Sequence, residues 1–303
     1  METSRNQPQN AHLRIGFVGA GVVGRSLAMV LSQRGYSVTS ATSLSVKSAE
    51  ALAGSVAHCR AGTIHDVQET ADLIFLTVPD DQIEPVAARL AQEISWRTGQ
   101  AVVHCSGALS LDVLRALDEH GVAVGSFHPL QSLACVEDGV LRLPGSYFGV
   151  EADEPLRSTL SAMVRALGGH LLLLPGHSKA RYHLAATIAS NYVVTLFAVA
   201  VDLLGQKGIT PAESASALLP LLRGTVDNLA QLGLPRALTG PIARGDLGTI
   251  HRHLEVLRGE APGVEPLYRH LGAATVPLAM QKGALTSERA ARVRQLLNGT
   301  ERA

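Results

Sequence analysis

The sequence has no excess of either charge. Its 303 residues include 26 Lys and Arg against 26 Asp and Glu, which gives a formal net charge of zero. Proteins that bind nucleic acid or an anionic membrane surface generally carry a basic field, so this balance argues against both kinds of partner. With 46% hydrophobic residues, the composition is typical of a soluble globular chain of one large or two ordinary domains.

Cysteine and targeting signals are also scarce. Cys59, Cys105 and Cys135 are widely spaced and form no Cys-x-x-Cys pair, so neither a zinc knuckle nor a secreted disulfide framework is indicated. Residues 1–10 have no apolar signal-peptide core and are expected to form a disordered tail. We therefore expect a cytoplasmic protein.

One hydrophobic run imitates a membrane span. Residues 185–204 are about as long as the ~20 apolar residues that a bilayer requires, but they contain Asn191 and Asp202. These polar residues favour a buried helix, either at the centre of an all-helical domain or in a dimer core, over a membrane span.

Short apolar runs alternate with helical patterns in the first part of the chain. The strand candidates lie at 13–18, 36–42, 71–79, 100–107, 122–129, 146–152 and 170–176. Helical patterns follow most of them, for example at 22–35 and 80–94. Strands that alternate with helices predict an α/β domain with a doubly wound parallel sheet of the Rossmann type.

The alternation stops at His177, and helical patterns then follow one another, beginning with a long one at 179–208. The simplest division places a Rossmann dinucleotide-binding domain at 11–175 and an all-helical substrate and dimerisation domain at 176–303.

A glycine-rich turn joins the first strand to the first helix. It is a G-x-G-x-x-G sequence formed by Gly19, Ala20, Gly21, Val22, Val23 and Gly24. Gly19 permits the tight turn, Gly21 lets the backbone approach a pyrophosphate, and Gly24 allows close packing at a helix N-terminus with free N–H groups. This strand–turn–helix context predicts dinucleotide binding; the alternative is a glycine turn required only for packing.

No acidic residue follows the second strand, where an Asp or Glu usually binds the ribose hydroxyl of NAD. The hydroxyls of Thr42, Ser43 and Ser45 and the ammonium of Lys47 lie there instead and can hold a 2′-phosphate. NADP, as NADPH, is therefore favoured over NAD, although the same residues also suit an ordinary polar turn.

Three further strand ends contribute to the same edge of the sheet. Val78 and Pro79 are expected along the cofactor, and Asp80 is interpreted as the cap of the next helix. Ser106, followed by Gly107, is a candidate for binding a substrate carboxylate, with a helix N-cap as the alternative.

His128 lies at another strand end, where it can donate a proton or a hydrogen bond. By contrast, His104 and Cys105 are interpreted as residues of a strand interior, without a nucleophilic role.

Polar residues also begin the long helical segment. Lys179 and His183 are four residues apart and share a helix face, and Asn191, two turns further, comes close to the same face. Polar groups in an apolar helix cost stability, so we favour a functional role for these residues. The alternative is that the lysine extends to solvent and that the asparagine is a hydrogen-bonded residue of the core.

A glycine-rich loop in the second domain offers further candidates. Thr239 and Arg244 can bind an anionic substrate, and in a homodimer they can reach the substrate of the partner subunit. The alternative is structural: Asp246 caps a helix and pairs with Arg244. His251 and His253 fall on different faces of a predicted helix, so no metal site is expected.

These motifs carry a resemblance. The glycine turn, the helical second domain and Lys179 resemble the superfamily of 3-hydroxyacid dehydrogenases, ketopantoate reductases and pyrroline-5-carboxylate reductases. The first two families have an asparagine four residues after the catalytic lysine, where this sequence has His183. More closely, the segments HCSGALSLDVL, FHPLQSL, KARYHLAATIASNYV and ALTGPIARGD resemble a family of Rossmann-like proteins with a C-terminal helical domain of unknown function.

The resemblance implies an NADP-linked reductase without a settled substrate. It implies that Lys179 polarises a carbonyl or delivers a proton, that His128 and His183 orient the substrate, and that further residues hold it, namely Ser106 and Asn191. The pair His128-Pro129 is also similar to the His-Pro of prephenate dehydrogenases, whose histidine contacts the substrate.

Together, these observations predict an NADP-dependent reductase that transfers a hydride to the carbonyl of a small 2-oxo acid, with Lys179 as the acid. An imine reductase of the pyrroline-5-carboxylate reductase type and a non-catalytic NADP-binding sensor are the alternatives. The expected partners are a small-molecule substrate and a second copy of the chain.

Overall fold

The structure of the protein is a computed structural model that describes residues 13–205 and 208–299. The tail expected at residues 1–10 lies outside the described residues. Contacts divide the chain into two compact units, Met1–Asn191 and Tyr192–Ala303.

An eight-stranded sheet forms the centre of the first unit. Its strands are β1 (Arg14–Val18), β2 (Ser37–Thr42), β3 (Arg60–Ala61), β4 (Leu73–Leu76), β5 (Ala101–His104), β6 (Ala123–Leu130), β7 (Tyr147–Ala152) and β8 (His170–Leu173). They are ordered β3-β2-β1-β4-β5-β6-β7-β8. The doubly wound sheet predicted from the alternation of strands and helices is confirmed.

Helices connect the successive strands of this unit, and one further helix follows β8. They are α1 (Val22–Gln33), α2 (Val46–Gly54), α3 (Ile64–Thr70), α4 (Asp80–Glu93), α5 (Arg115–Asp118), α6 (Val136–Arg142), α7 (Leu156–Ala166) and α8 (Lys179–Ala189). Because helices cover a parallel sheet on both faces, its central strands are apolar throughout, and all four residues of β4 are buried.

One strand pair departs from the parallel arrangement. Strands β6 and β7 are antiparallel, whereas the other neighbouring pairs are parallel. The link between β6 and β7 contains only the short helix α6, which packs against α1. This link leaves the chain at the same end of the sheet, so β7 runs back along β6.

A row of phenylalanines forms the core on one face of the sheet. Phe17 stacks on Phe75 with ring centroids 5.2 Å apart, and Phe127 contacts Phe75 edge-on at 5.7 Å. Phe148 follows at 5.0 Å from Phe127. These buried rings join β1, β4, β6 and β7, and they fix the strand ends that carry the candidate site.

The described part of the second unit is helical. Its helices are α9 (Asn191–Gly205), α10 (Pro211–Leu232), α11 (Pro241–Arg244), α12 (Leu247–Glu260), α13 (Glu265–Gln281) and α14 (Ser287–Asn298). A small core contains fully buried Ile250, Leu254 and Val276 together with side chains of α14.

The long helix predicted from residue 179 is interrupted at Ser190, where φ is −121° and ψ is −71°. Helix α8 ends before this residue and α9 begins after it, so a single continuous helix was the wrong expectation. Helix α8 is held to the sheet through Lys179 and Tyr182. The contact division consequently follows α8, whereas the sequence placed a domain boundary before it.

One stretch of the described chain, Gly176–Gly205, has the length and composition of a membrane span, with a mean hydropathy of 1.9. None of its most apolar window is buried. On α9 and α10, apolar side chains such as Val194 and Leu221 are exposed. The expectation of a helix buried at the centre of a domain is therefore wrong for the single chain.

Candidate functional site

The turn between β1 and α1 requires two of its glycines for packing. Gly19 has a φ of +105°, and a Cβ at this position would lie 2.5 Å from the carbonyl oxygen of Thr77. A Cβ on Gly24 would lie 2.5 Å from the carbonyl oxygen of Gly19. Thr77 also donates a 2.6 Å hydrogen bond to that carbonyl, so the turn and the end of β4 are locked together.

Gly21 differs from these two glycines. A Cβ at this position would meet nothing within 4 Å. Gly21 is the N-cap of α1 and makes no side-chain capping bond, so no side chain covers the first N–H groups of the helix from this position. The open space over a helix N-terminus fits a phosphate group, as the glycine pattern predicts.

A cleft of about 580 Å³ extends from this turn. The predicted cofactor residues Gly19, Ala20, Gly21, Thr42, Ser43, Val78 and Pro79 line it. Among the described residues that line the cleft, none is acidic, whereas His65 and Arg89 are basic. The chemistry of the lining therefore fits an anionic ligand.

Other predicted cofactor residues lie beside the cleft lining. Val22, Val23 and Gly24 belong to the first turn of α1. The hydroxyl of Ser45 accepts a 3.3 Å hydrogen bond from the N–H of Ser48 and thereby caps α2, whose first turn contains Lys47. Ser45 thus has a local structural role in the ligand-free chain.

The sequence interpretation missed one wall of the cleft. Gln82, Pro85, Val86 and Arg89 line it from α4. Their spacing of three, one and three residues is that of a single helix face, a signal that was present in the sequence. Thr63, Ile64 and His65 complete this side from the start of α3, which is too short to be recognised by periodicity.

Ser106 and Asp80 meet at the neighbouring strand ends. The hydroxyl of Ser106 donates a 2.7 Å hydrogen bond to a carboxylate oxygen of Asp80. The same hydroxyl accepts hydrogen bonds from the N–H groups of Ala108 and Leu109 at 3.1 and 3.2 Å, which closes the turn after β5. The short helix that follows, Leu111–Leu114, is capped by Ser110, so the alternative of Ser106 as its N-cap is wrong. Asp80 does not cap α4, because Pro79 occupies the N-cap position, and the interpretation of Asp80 as a cap is wrong.

His104 is an interior residue at the end of β5. Its Nδ1 accepts a 3.2 Å hydrogen bond from the N–H of Ser106, and its buried Nε2 has no partner among the described residues. Burial, followed by the nearby charge of Lys179, lowers the pKa of His104 to about 3. The imidazole is therefore neutral at pH 7 and shapes the turn that carries Ser106.

Lys179 reaches the same turn from α8. It is only 2% exposed, and its Nζ donates a 3.1 Å hydrogen bond to the carbonyl oxygen of Ser106. Burial lowers the pKa of Lys179, although the negative charge of Glu151 opposes this shift. Burial conversely raises the pKa of Glu151, and its Oε2 has no hydrogen-bond partner in the described part of the chain.

His128 lies on β6, beside the turn of β5. A Cβ on Gly107 would lie 2.8 Å from Nε2 of His128, so the imidazole packs directly against this glycine. Its Nδ1 lies 2.7 Å from the hydroxyl oxygen of Tyr182, a residue that the sequence interpretation did not include in the site. Tyr182 follows Lys179 by three residues on α8, and this helical spacing was a signal present in the sequence that the interpretation did not use.

The pKa of His128 is lowered to about 4 by burial, with smaller effects from the charges of Lys179 and His183. His183 is exposed on α8 and is thus near enough to His128 to affect it electrostatically. Lys179, His183 and His128 are therefore brought into one neighbourhood, as predicted from the chain.

The remaining candidates follow α8 in the chain. Asn191 follows the interruption at Ser190, so the helical spacing that placed it beside Lys179 does not continue to it. Thr239 and Arg244 are exposed in the second unit. Asp246 caps α12 through a 3.0 Å hydrogen bond from the N–H of Thr249, which is the structural alternative considered for this loop.

A metal site was not expected, and the described residues contain no group of three or more His, Cys, Asp or Glu side chains that could hold a metal ion.

Comparisons with known proteins match each part of the chain to a family. Residues 1–129 match the Rossmann-like domain, and residues 146–275 match the family described as Domain of unknown function (DUF2520). None of the curated proteins matches the chain.

Solved structures share the fold over most of the chain. A protein from Thermotoga maritima is 26% identical, with 88% of this chain and 99% of that chain covered and a TM-score of 0.72. A candidate NADP oxidoreductase from Bacteroides fragilis is 24% identical, with 87% and 98% covered and a TM-score of 0.69. Plasmodium falciparum pyrroline carboxylate reductase with NADP bound is 14% identical, with 94% and 98% covered and a TM-score of 0.56. The chain thus matches a Rossmann-like domain in its first part and a DUF2520 domain in its second, the combination that its motifs resemble.

Proposed function

We propose that the protein is an NADP-dependent oxidoreductase. The observation that carries this proposal is the open space at Gly21, over the N-terminus of α1, at the end of a cleft with no acidic residue among its described lining residues. A structure of the same fold, the pyrroline carboxylate reductase of Plasmodium falciparum, contains NADP. That likeness supports the assignment of the cofactor to this cleft.

The lining fits NADP in its chemistry. The glycine turn and the first N–H groups of α1 would hold the pyrophosphate. Thr42 and Ser43, at the end of β2, would face the adenosine ribose, where the lack of a carboxylate removes the repulsion against a 2′-phosphate. Lys47 would add a positive charge from the first turn of α2. Val78 and Pro79 would extend along the rest of the cofactor.

The reaction that we propose is reduction of the carbonyl group of a small 2-oxo acid. NADPH, when bound, supplies the hydride to the carbonyl carbon. The protein must supply a proton to the oxygen, which becomes a hydroxyl group. Lys179 is the proposed donor, because burial lowers its pKa and so makes its ammonium group a stronger acid. After it donates the proton, Lys179 is a neutral amine.

The other candidate residues would bind and orient the substrate. His128 and His183 lie near Lys179 and would contact the reacting end. The carboxylate group of the substrate would be bound by Ser106, with Gly107 beside it, and by Asn191. Thr239 and Arg244 of a partner subunit are proposed to bind an anionic group, since a guanidinium pairs well with a carboxylate.

Reduction of an imine is the second candidate. The observation that favours it is the shared fold with a pyrroline carboxylate reductase. A C=N bond requires the same hydride and proton as a C=O bond, so the residues above would serve either substrate. A non-catalytic NADP-binding sensor remains the contrasting proposal, and it would bind NADPH without using Lys179.

A second copy of the chain is the partner that we propose for the exposed helices. Apolar side chains on α9 and α10, including Val194 and Leu221, are exposed in the single chain, and a protein interface is one way to cover exposed apolar side chains. A homodimer would bury these side chains. We also propose a cytoplasmic location, which fractionation of cells that express the protein would test.

The experiment that tests the reaction follows NADPH absorbance with ketopantoate, pyrroline-5-carboxylate and prephenate as separate substrates. Oxidation of NADPH that depends on one of the first two compounds identifies a carbonyl or an imine reductase, respectively. Prephenate, tested with NADP+ and followed as the formation of NADPH, extends the panel to the substrate class suggested by His128-Pro129, because a dehydrogenase takes a hydride from its substrate. NADPH binding without oxidation by carbonyl and imine panels would support the sensor instead.

A further inference from the structure

The two ring nitrogens of His128 have different surroundings. The hydroxyl oxygen of Tyr182 lies 2.7 Å from Nδ1 of His128, and the two rings meet edge-on with centroids 5.5 Å apart. No hydrogen bond to Nε2 of His128 is present in the described part of the chain. One ring nitrogen therefore has a fixed partner, and the other has no hydrogen-bond partner among the described residues.

Two glycines make room for this arrangement. Gly149 lies opposite His128 in the pairing of β6 with β7, and a Cβ at this position would lie 2.9 Å from the hydroxyl oxygen of Tyr182. On the other side, a Cβ on Gly107 would lie 2.8 Å from Nε2 of His128. A larger residue at Gly107 would press on the imidazole, and one at Gly149 would press on the side chains of Leu174 and Tyr182.

Both rings are uncharged at neutral pH. Burial lowers the pKa of His128 to about 4, with additional effects from Lys179 and His183. Burial raises the pKa of Tyr182 to about 12. His128 therefore carries one ring proton at pH 7, and its hydrogen bond with Tyr182 decides which nitrogen holds that proton.

The chemistry of the two groups selects one arrangement. A phenol is the more acidic partner and an unprotonated imidazole nitrogen is a strong acceptor, so the favourable bond runs from the tyrosine hydroxyl to the ring nitrogen. We propose that Tyr182 is a positioning residue that donates a hydrogen bond to Nδ1 of His128 and thereby keeps the proton on Nε2, as a neutral donor to the substrate.

This inference rests on the proposed function for the identity of the acceptor, which would be a carbonyl oxygen or an imine nitrogen. A neutral imidazole polarises that atom without transferring its proton, in contrast to a histidine that acts as a general acid. The proton consumed in the reaction must then come from another group, for which Lys179 is proposed.

The tautomer can be measured without cofactor or substrate. Two-bond 1H–15N correlation spectra of the 15N-labelled full-length protein at pH 7 distinguish a protonated ring nitrogen from an unprotonated one, and His128→Gln identifies the signals of His128. We expect His128 to be protonated at Nε2 in the native protein. In Tyr182→Phe, which lacks only the hydroxyl group, we expect this preference to be reduced or reversed.

The chain offers a matched control in the second unit. Tyr268 and Nδ1 of His253 form the same kind of pair, with 3.0 Å between the hydroxyl oxygen and the nitrogen. Tyr268→Phe removes an equivalent hydrogen bond and should leave the signals of His128 unchanged. A native His128 protonated at Nδ1, or a tautomer that Tyr182→Phe does not alter, would overturn the inference.

Kinetics then separate this inference from the proposed function. If the protein reduces a carbonyl or an imine, Tyr182→Phe should lower kcat by about tenfold with a smaller change in KM, because the donor acts mainly as charge develops on the substrate. Tyr268→Phe should have no effect on either constant. Absence of turnover with every substrate, together with the expected tautomer, would overturn the proposed function and leave the assignment of Tyr182 supported.

Discussion

The Nζ atom of Lys179 donates a 3.1 Å hydrogen bond to the main-chain carbonyl oxygen of Ser106. This bond links α8 to the turn that follows β5 and places a buried cation beside the turn. Since burial destabilises the charged form of a lysine, its ammonium group is poised to release a proton more readily than an exposed one. The same bond also makes Lys179 part of the structure of the turn.

Lys179→Met should abolish turnover while NADPH affinity stays within about twofold, since the lysine acts at the substrate end. Methionine preserves most of the buried aliphatic chain and removes the charge. Lys282→Met is a matched control, because Nζ of Lys282 also donates to main-chain carbonyls, those of Arg236 and Leu238. Full activity of Lys179→Met would exclude Lys179 as the acid.

A carboxylate at the end of β2 should change the cofactor preference. Thr42→Asp places a negative charge in the lining of the cleft, where it would repel a 2′-phosphate and accept a hydrogen bond from a ribose hydroxyl. We expect NADPH affinity to fall by about tenfold or more, corresponding to ~1.4 kcal/mol, while NADH affinity is maintained or increased.

Fluorescence titration with both nucleotides measures this ratio. Thr286→Asp adds the same charge at the N-cap of α14 and should leave the ratio unchanged. An unchanged ratio in Thr42→Asp would mean that the 2′-phosphate does not bind near this strand end.

Acid should destabilise the first unit through His104, which is buried, and His128, which is half-buried. The pKa values of His104 and His128 are lowered to about 3 and about 4 from an ordinary value of 6.5. Below pH 6.5 the unfolded chain binds these protons and the native protein does not. The free energy of unfolding therefore has its full contribution from these histidines above pH 6.5. It falls as the pH is lowered towards 4, by up to ~1.4 kcal/mol per pH unit for each histidine.

Urea unfolding between pH 4.5 and pH 7 at fixed ionic strength measures this dependence, over roughly the range in which these histidines of the unfolded chain titrate. His128→Gln should reduce the slope, whereas His120→Gln, at an exposed position, should not. Equal slopes in the native protein and in His128→Gln would contradict the assignment of a neutral, half-buried His128.

The sequence predicted the glycine turn because its requirements are local. Gly19 has a positive φ, which favours glycine. The glycine and the strand that precedes it lie within a few residues of each other, so a short stretch of sequence is enough to predict the turn. The contact of His128 with Tyr182 joins residues 54 positions apart, so no local pattern contains it. Periodicity identified both elements, β6 and α8, but not their meeting.

Strand direction and the shortest elements could not be predicted from the sequence either. The alternation of strands and helices indicates elements without fixing the direction of each strand, which is why the antiparallel pair of β6 with β7 was not predicted. Strand β3 has two residues and helix α3 has seven, too few to establish a period. Helix α3 nevertheless contributes His65 to the cleft.

The protein should be a dimer of about twice the 31.8 kDa chain. Leu221→Glu introduces a charge on the exposed apolar face of α10 and should shift the molar mass by light scattering towards that of a single chain. Leu141→Glu alters a similarly exposed leucine on α6 and should leave the mass unchanged. A monomeric native protein would contradict the proposed dimer.

The most direct test of the central claim is NADPH titration of the native protein and two glycine variants. Gly21→Ala adds a methyl group that meets nothing within 4 Å, so it should keep the native Tm and lose NADPH affinity by tenfold or more, ~1.4 kcal/mol. Gly24→Ala forces a Cβ to within 2.5 Å of the carbonyl of Gly19 and should lower the Tm, with a cost of about 1–3 kcal/mol.

This pattern would identify the space over Gly21 as the pyrophosphate site of an NADP-dependent enzyme. Failure of the native protein to bind NADPH, or unchanged affinity in Gly21→Ala, would contradict the account.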